Sequence, residues 1–264
     1  MEIMGVVNVT PDSFYAGSSA MGEKAVRMAL RMLDEGADII DIGGQSTRPG
    51  SSQVSAEKEL RRIAPVVRRL SKTCSRISID TYNYHVARFA ADHGIAMIND
   101  ITGMRQQSMR TLVAERKLEC VIMHMQGEPK TMQASPHYDN VVNDVKRFLA
   151  GRIRLCEDDG IAKRRIIIDP GIGFGKTARH NLQILKGIGS FKSLGKRILI
   201  GASRKSFIGR INGTEKEPLP AEERLEGSLA IASYCALNGV DMLRVHDVKE
   251  TIRAIEVIDA LERS

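Results

Sequence analysis

The sequence is poor in aromatic residues, which make up 4% of its 264 positions, and it contains only 8 prolines. No apolar stretch approaches the roughly 20 residues that a membrane-spanning helix needs. The first residues, MEIMGVVNVTPD, lack both the basic and the long apolar part of a secretory signal. These absences lead to the expectation of a soluble, cytoplasmic protein with no membrane partner. The four cysteines, at 74, 120, 156 and 235, form no C-x-x-C pair, and Cys120 and Cys235 lie in apolar runs, so buried reduced thiols are expected rather than disulfides or thiolate-bound metal. The six histidines contain no H-x-x-x-H or H-E-x-x-H pair, which argues against zinc. A net charge of +7 raises the question of nucleic acid. However, the basic residues are spread through helical segments (Arg61, Arg62, Arg68, Arg69; Lys163, Arg164, Arg165) with few aromatics among them, which points to a solvated surface plus an anion pocket.

What is present is a regular alternation. Short apolar, β-branched runs occur at 2–9, 38–43, 76–80, 95–99, 119–124, 165–169, 197–202 and 240–245. Helix-period stretches follow them at 22–36, 57–73, 84–94, 106–117, 139–160, 180–192, 221–239 and 248–262. Strands that alternate with helices imply a parallel sheet, and eight such units imply closure into a (β/α)8 TIM barrel, with a doubly wound open sheet as the rival. Gly36, Gly94, Gly160 and Gly239 each stand where a helix should end with positive φ. Asp247 and Glu250 have capping-box-like spacing at the last helix. No linker or low-complexity tract divides the chain, so residues 1–264 are expected to form one domain.

In a barrel the C-terminal ends of the strands converge on one mouth. Here the runs end in Asn8, Asp41, Asp80, Asn99 with Asp100, His124, Asp169, and Arg244 with His246, while Ser203, Arg204 and Lys205 follow the seventh. One Asp after a strand is ordinarily a turn or cap residue. A polar group at every strand end is hard to explain by turns alone. Carboxylates and amides converging from neighbouring strands suit the edge of a flat heterocycle, and Asp80, Asn99, Asp169 and Lys205 form a plausible reader of such an edge.

Glycine-rich segments suggest an anion beside the ring. NVTPDSFYAG and GGQSTRPGS set Thr, Ser and Arg beside Gly, giving N–H groups and a guanidinium suited to diphosphate. DPGIGFGKT at 169–177 is no phosphate loop, because G-x-x-x-x-G-K-[ST] requires Gly at 170, which is Pro. No G-x-G-x-x-G opens a helix after the first strand, so a dinucleotide is unsupported. Magnesium held mainly by diphosphate oxygens and one amide needs no cluster of ligands.

From residue 3 to about 258 the chain resembles the dihydropteroate synthases, through MGVVNVTPDSF (4–14), GADIIDIGGQSTRPG (36–50), ISIDT (77–81), INDITG (98–103), MHMQGEPKTMQ (123–133), IIDPGIGFGKTARHN (167–181), IGASRKSFIG (200–209) and RVHD (244–247). The resemblance implies a transferase with its active site at the barrel mouth and Asp80, Asn99, Asp169 and Lys205 on the pterin. It also implies Asn8 on Mg2+ and diphosphate, Arg244 and His246 on diphosphate, and Asp41 supporting the site. Thr47, Arg48, Pro49, Phe174 and Ser206 match positions around the p-aminobenzoate pocket and its closing loop. Phe174 has the alternative of packing its loop, Asp41 of orienting backbone, His246 of sitting satisfied in the core, and Arg204 of either facing outward or bracing the site.

The chain departs from the family pattern at Gln45, where Glu is usual, and at Tyr15 and Ala16, where a loop carboxylate is missing. The chemistry implied by the resemblance is condensation of 6-hydroxymethyl-7,8-dihydropterin diphosphate with p-aminobenzoate, or an elaborated aryl amine, by a homodimer. A pterin methyltransferase and a catalytically idle pterin-binding barrel are the rival readings.

Overall fold

The computed structural model describes residues 1–10, 18–46, 50–51, 54–214 and 216–264. β1 (Glu2–Asn8) is followed by α1 (Ser18–Asp34), β2 (Ile39–Gly43) by α2 (Ala56–Leu70), β3 (Ile77–Asp80) by α3 (Tyr84–Asp92) and β4 (Met97–Asp100) by α4 (Gln107–Glu115). β5 (Glu119–Met123) then leads to α5 (Val141–Asp158), and β6 (Ile166–Asp169) to α6 (Ala178–Lys186). β7 (Arg197–Ile200) leads to α7 (Ser206–Asn212) and α8 (Leu225–Leu237), and β8 (Met242–Val245) to α9 (Val248–Arg263). All neighbouring strands are parallel, and β8 pairs with β1, closing the barrel. The open-sheet rival is thereby eliminated.

Helix α2 illustrates why the helices form where they do. Ile63, Val66, Val67 and Leu70 recur at helical spacing and are all completely buried, while the Ser55 hydroxyl accepts from the Lys58 N–H and caps the first turn. Gly36, Gly94, Gly160 and Gly239 take positive φ as expected, at 104°, 78°, 90° and 65°. Two expectations need correction. The stretch 180–192 is not one helix: α6 stops at Lys186, and a 3-10 segment runs over Ile188–Leu194. Gly187 and Gly189, poor helix residues, fall at that break. Asp247 does not cap α9 with its side chain; its carboxylate is held by Arg204 instead.

The strand register sorts the barrel interior into levels, because alternate residues of a strand face the same side. At the N-terminal end Arg76 and Arg197 each bridge Glu2 and Glu119, with Arg76–Glu119 at 3.3 Å and Arg197–Glu2 at 3.1 Å. Above this charged closure lie Met4, Ile39, Met97, Val121, Ile167, Leu199 and Met242, an apolar plug whose members are all at most 1% exposed. Each such burial contributes roughly 1.5–3 kcal/mol. The next inward positions on the even strands are Asp41, Asn99, Asp169 and Arg244, two residues beyond Ile39, Met97, Ile167 and Met242. The interior therefore turns from apolar to charged within a single step along four strands. A larger apolar cluster fills the space between the outer barrel face and the helices.

Candidate active site

Arg244 stands at the centre of this charged level. Its Nε donates to Asp41 Oδ2 at 2.6 Å and its Nη2 to Asp80 Oδ2 at 2.8 Å, while Asn99 Nδ2 donates to the same Asp41 oxygen at 3.1 Å. Asp41 is wholly buried, and its Oδ1 has no partner among the described residues. Burial works against the Arg244 charge, but Asp41 and Asp80 outweigh it and raise its pKa. Asp80 is pushed up to about 7 by burial, with Asp41 and Glu59 adding and Arg244 and Lys205 opposing. Burial likewise raises Asp169, against the Gly171 N–H, which donates to its Oδ1 at 2.7 Å, and against nearby cations. The ring-edge residues expected from the sequence, Asp80, Asn99 and Asp169, thus surround one opening, and Lys205 reaches it from β7.

The β6–α6 loop forms one wall. Phe174 is buried with Ile101, Met123, Met125 and Met132, and the Lys205 ammonium lies 4.2 Å from the centre of its ring. The glycines of this loop permit backbone approach: a Cβ on Gly171, which has φ +71°, would stand 1.9 Å from the His124 carbonyl oxygen. The loop is held from beneath by Lys176, 2% exposed, whose Nζ lies 2.9 Å from the carbonyl oxygens of Gly171 and Phe174 and from His124 Nδ1. Burial and Lys176 drive His124 down to about 2, so its ring is neutral and accepts. Burial drives Lys176 down to about 7. Lys176 is not among the site residues expected from the sequence, where GFGKT reads as a failed phosphate loop and as part of a family-like segment. A lone lysine inside a glycine-rich turn is the signal that was there to use.

Asp100, the last residue of β4, and His124, just after β5, serve the loops. Asp100 Oδ1 accepts from the Thr102 N–H at 2.7 Å and its hydroxyl at 2.6 Å. Gln45, where the family pattern has Glu, donates to the Tyr82 hydroxyl at 2.7 Å and ties the start of the β2–α2 loop to the loop after β3. Tyr82 packs on the Phe174 cluster and was also missed.

Just after β8, His246 is driven down to about 4 by burial, then by Arg244, Lys205 and Arg204, with Asp247 opposing, so it is neutral at pH 7. Its Nδ1 lies 3.1 Å from Ser203 Oγ. Ser206 is exposed and opens α7. Arg204 braces the site rather than facing away: it binds both oxygens of Asp247, at 2.8 and 2.6 Å, and the Ala221 carbonyl at 2.9 Å. Asn8, half-buried at the end of β1, sets its Oδ1 against Gly43, 3.3 Å from where a Cβ would stand. Its side chain makes no hydrogen bond to the described residues. No group of three His, Cys, Asp or Glu able to hold a metal exists among them. One uncommitted amide oxygen without a cage fits a hard cation that takes its other ligands from diphosphate and water. Thr47, Arg48 and Pro49, like Tyr15 and Ala16, lie outside the described residues.

The family described as pterin binding enzyme matches residues 4–246. The dihydropteroate synthase of Escherichia coli strain K12 is 44% identical over 260 residues, covering 98% of this chain and 90% of its own. Among solved structures, Xanthomonas albilineans dihydropteroate synthase with 4-aminobenzoic acid superposes with a TM-score of 0.91 at 43% identity, covering 100% of this chain and 93% of its own. The same organism's enzyme in complex with 7,8-dihydropteroate gives 0.88 at 41% identity, covering 100% and 94%. With a closed barrel whose interior turns to acid, amide and guanidinium at its C-terminal mouth, the chain belongs to the pterin binding enzymes and, within them, to the dihydropteroate synthases.

Proposed function

We propose that the barrel mouth condenses 6-hydroxymethyl-7,8-dihydropterin diphosphate with p-aminobenzoate, releasing 7,8-dihydropteroate and diphosphate. The observation that carries this reading is the Asp41–Arg244–Asp80 arrangement, buried carboxylates and a guanidinium at one level of the barrel. Asp80, Asn99, Asp169 and Lys205 take the donors and acceptors of the pterin edge, at roughly 1.5–3 kcal/mol for each bond to a charged group. Arg244 and neutral His246 stabilise charge that grows on the departing diphosphate as the C–O bond breaks. The carbocation left behind is delocalised into the pterin beside buried carboxylates. The aromatic amine, neutral at pH 7, attacks it and loses its proton after the bond has formed, so no strong general base is required. Phe174 and Lys205 flank the amine, and Ser206, opening α7, stands toward its carboxylate; Thr47, Arg48 and Pro49 complete the pocket in this reading. Mg2+, held by Asn8 Oδ1 and diphosphate oxygens, would supply further neutralisation of the leaving group.

The same reading places a second copy of the chain against α8 and α9, which expose Tyr234 (40%), Leu237 (53%), Val257 (60%) and Leu261 (65%). It places the enzyme in the cytoplasm, consistent with four buried free thiols. Among the described residues no helix is long and apolar enough to cross a membrane.

The test is product formation by purified protein with the dihydropterin diphosphate, Mg2+ and p-aminobenzoate. Dihydropteroate should appear only when all are present; tight pterin binding with no condensation would overturn the synthase reading. A pH effect is also expected. An ionised Asp80 is the form that accepts ring N–H groups, so with Asp80 near 7 the KM for the pterin should fall about tenfold between pH 6 and pH 8. Asp80→Asn should lose this dependence, and a wild-type KM flat across the window would refute the assignment.

A further inference from the structure

Two adjacent residues of the β7–α7 loop grip two adjacent residues that follow β8. Ser203 meets His246, and Arg204 meets Asp247. Arg204 itself cannot swing. Its backbone is held at φ +56°, its N–H donates to Ser228 Oγ at 2.9 Å, and its carbonyl accepts from Arg224 Nη1 at 2.9 Å. Ser203 is therefore presented to His246 by a pinned neighbour.

At that contact, Ser203 Oγ lies 3.2 Å from the His246 main-chain nitrogen and 3.1 Å from its Nδ1. A main-chain N–H can only donate, so Oγ accepts there. The hydroxyl proton has no other acceptor among the described residues, and Nδ1 is the group placed to receive it. The ring proton is then left on Nε2, which bonds to no described residue. The opposite tautomer would strand the hydroxyl proton and offer the mouth a lone pair, which repels diphosphate oxygens.

We propose that Ser203 is a positioning residue that fixes His246 as the Nε2–H tautomer, so that a neutral imidazole donates a hydrogen bond to the departing diphosphate. The consequence for catalysis rests on the proposed synthase activity. The tautomer itself does not.

The experiment therefore has two readouts. Ring nitrogen NMR of the ligand-free protein near pH 7, with the His246 signal identified by its loss in His246→Gln, should show protonated Nε2 in the wild type and a mixture in Ser203→Ala. In steady state, Ser203→Ala should lose about tenfold in kcat, the worth of one hydrogen bond in the transition state, with KM for the aryl amine nearly unchanged. Ser203→Thr, which keeps the hydroxyl, should restore both. If Ser203→Ala does not fold, Ser203→Cys, a weaker donor, is read in the same way. A wild-type ring protonated at Nδ1, or a Ser203→Ala protein with unchanged tautomer or unchanged kcat, would overturn the proposal. A wild type that forms no dihydropteroate would refute the synthase activity, and with it the catalytic half, while the spectrum still decides the tautomer.

Discussion

Replacement of Arg244 by Met is expected to destabilise the protein by about 3–5 kcal/mol and to abolish turnover. Among the described residues, Arg244 is the guanidinium that pairs both Asp41, at 2.6 Å, and Asp80, at 2.8 Å, and Asp41 is 0% exposed. Met keeps much of the volume but leaves two buried carboxylates without their guanidinium, with Asn99 still donating to Asp41. Removing one partner of a buried pair leaves an uncompensated charge, which is costlier than losing the pair as a whole. Asp80, already at about 7 with Arg244 present, would rise further and become protonated, weakening its grip on ring N–H groups. Adding Asp41→Asn to Arg244→Met should recover part of the stability but none of the activity, because the leaving group still lacks its cation. Urea unfolding of the three proteins at pH 7 checks this. A loss under about 1 kcal/mol would mean that the pair is solvated and that Arg244 does not organise the site.

Gly171→Ala should be the most damaging single methyl in the site, costing more than about 4 kcal/mol or preventing folding. Two penalties combine. The left-handed φ of +71° costs an L residue roughly 1–2 kcal/mol, and the new Cβ would stand 1.9 Å from the His124 carbonyl oxygen, a main-chain atom that cannot rotate aside. Relief requires the β6–α6 loop to move, which breaks the Gly171 N–H bond to Asp169 and the Lys176 bond to the Gly171 carbonyl. Gly195→Ala is the matched comparison. Its φ is +64°, yet nothing lies within 4 Å of the added Cβ, so only the conformational penalty applies. Thermal unfolding should separate the two variants widely. Equal losses would show that backbone conformation, not the approach to His124, sets the glycine at 171.

The positions of the strands were legible because periodicity is a local property. A residue on a buried parallel strand is apolar on both faces, so β-branched runs such as 165–169 stand out, and that run lies within one residue of Ile166–Asp169. Helices whose ends are set locally, by Ser55 or by Gly36, fell close to their expected places. That Asp80, Asn99 and Asp169 gather at one end of the barrel was legible for a related reason. Each lies at or next to the C-terminal end of a strand, and parallel strands bring those ends together whatever the loops do.

Loop chemistry was not legible in this way. Asp100, His124 and Asp169 look alike in sequence, each a polar residue ending an apolar run. Asp100 closes its own turn on Thr102, His124 accepts from Lys176 52 residues away, and Asp169 faces the mouth. Asp247 had the spacing of a helix cap, but Arg204, 43 residues earlier in the chain, outcompetes the local N–H with two charged hydrogen bonds. By itself, then, the sequence determined the eight-fold alternation and the polar end of each strand, since both follow from side-chain period and burial along a few consecutive residues. The tertiary structure alone decided which polar ends hold loops, and it alone made Lys176 a buried clamp and Ser203 the partner of His246. Those outcomes depend on which donor and acceptor meet when distant segments close over the barrel, and no local pattern encodes that distance.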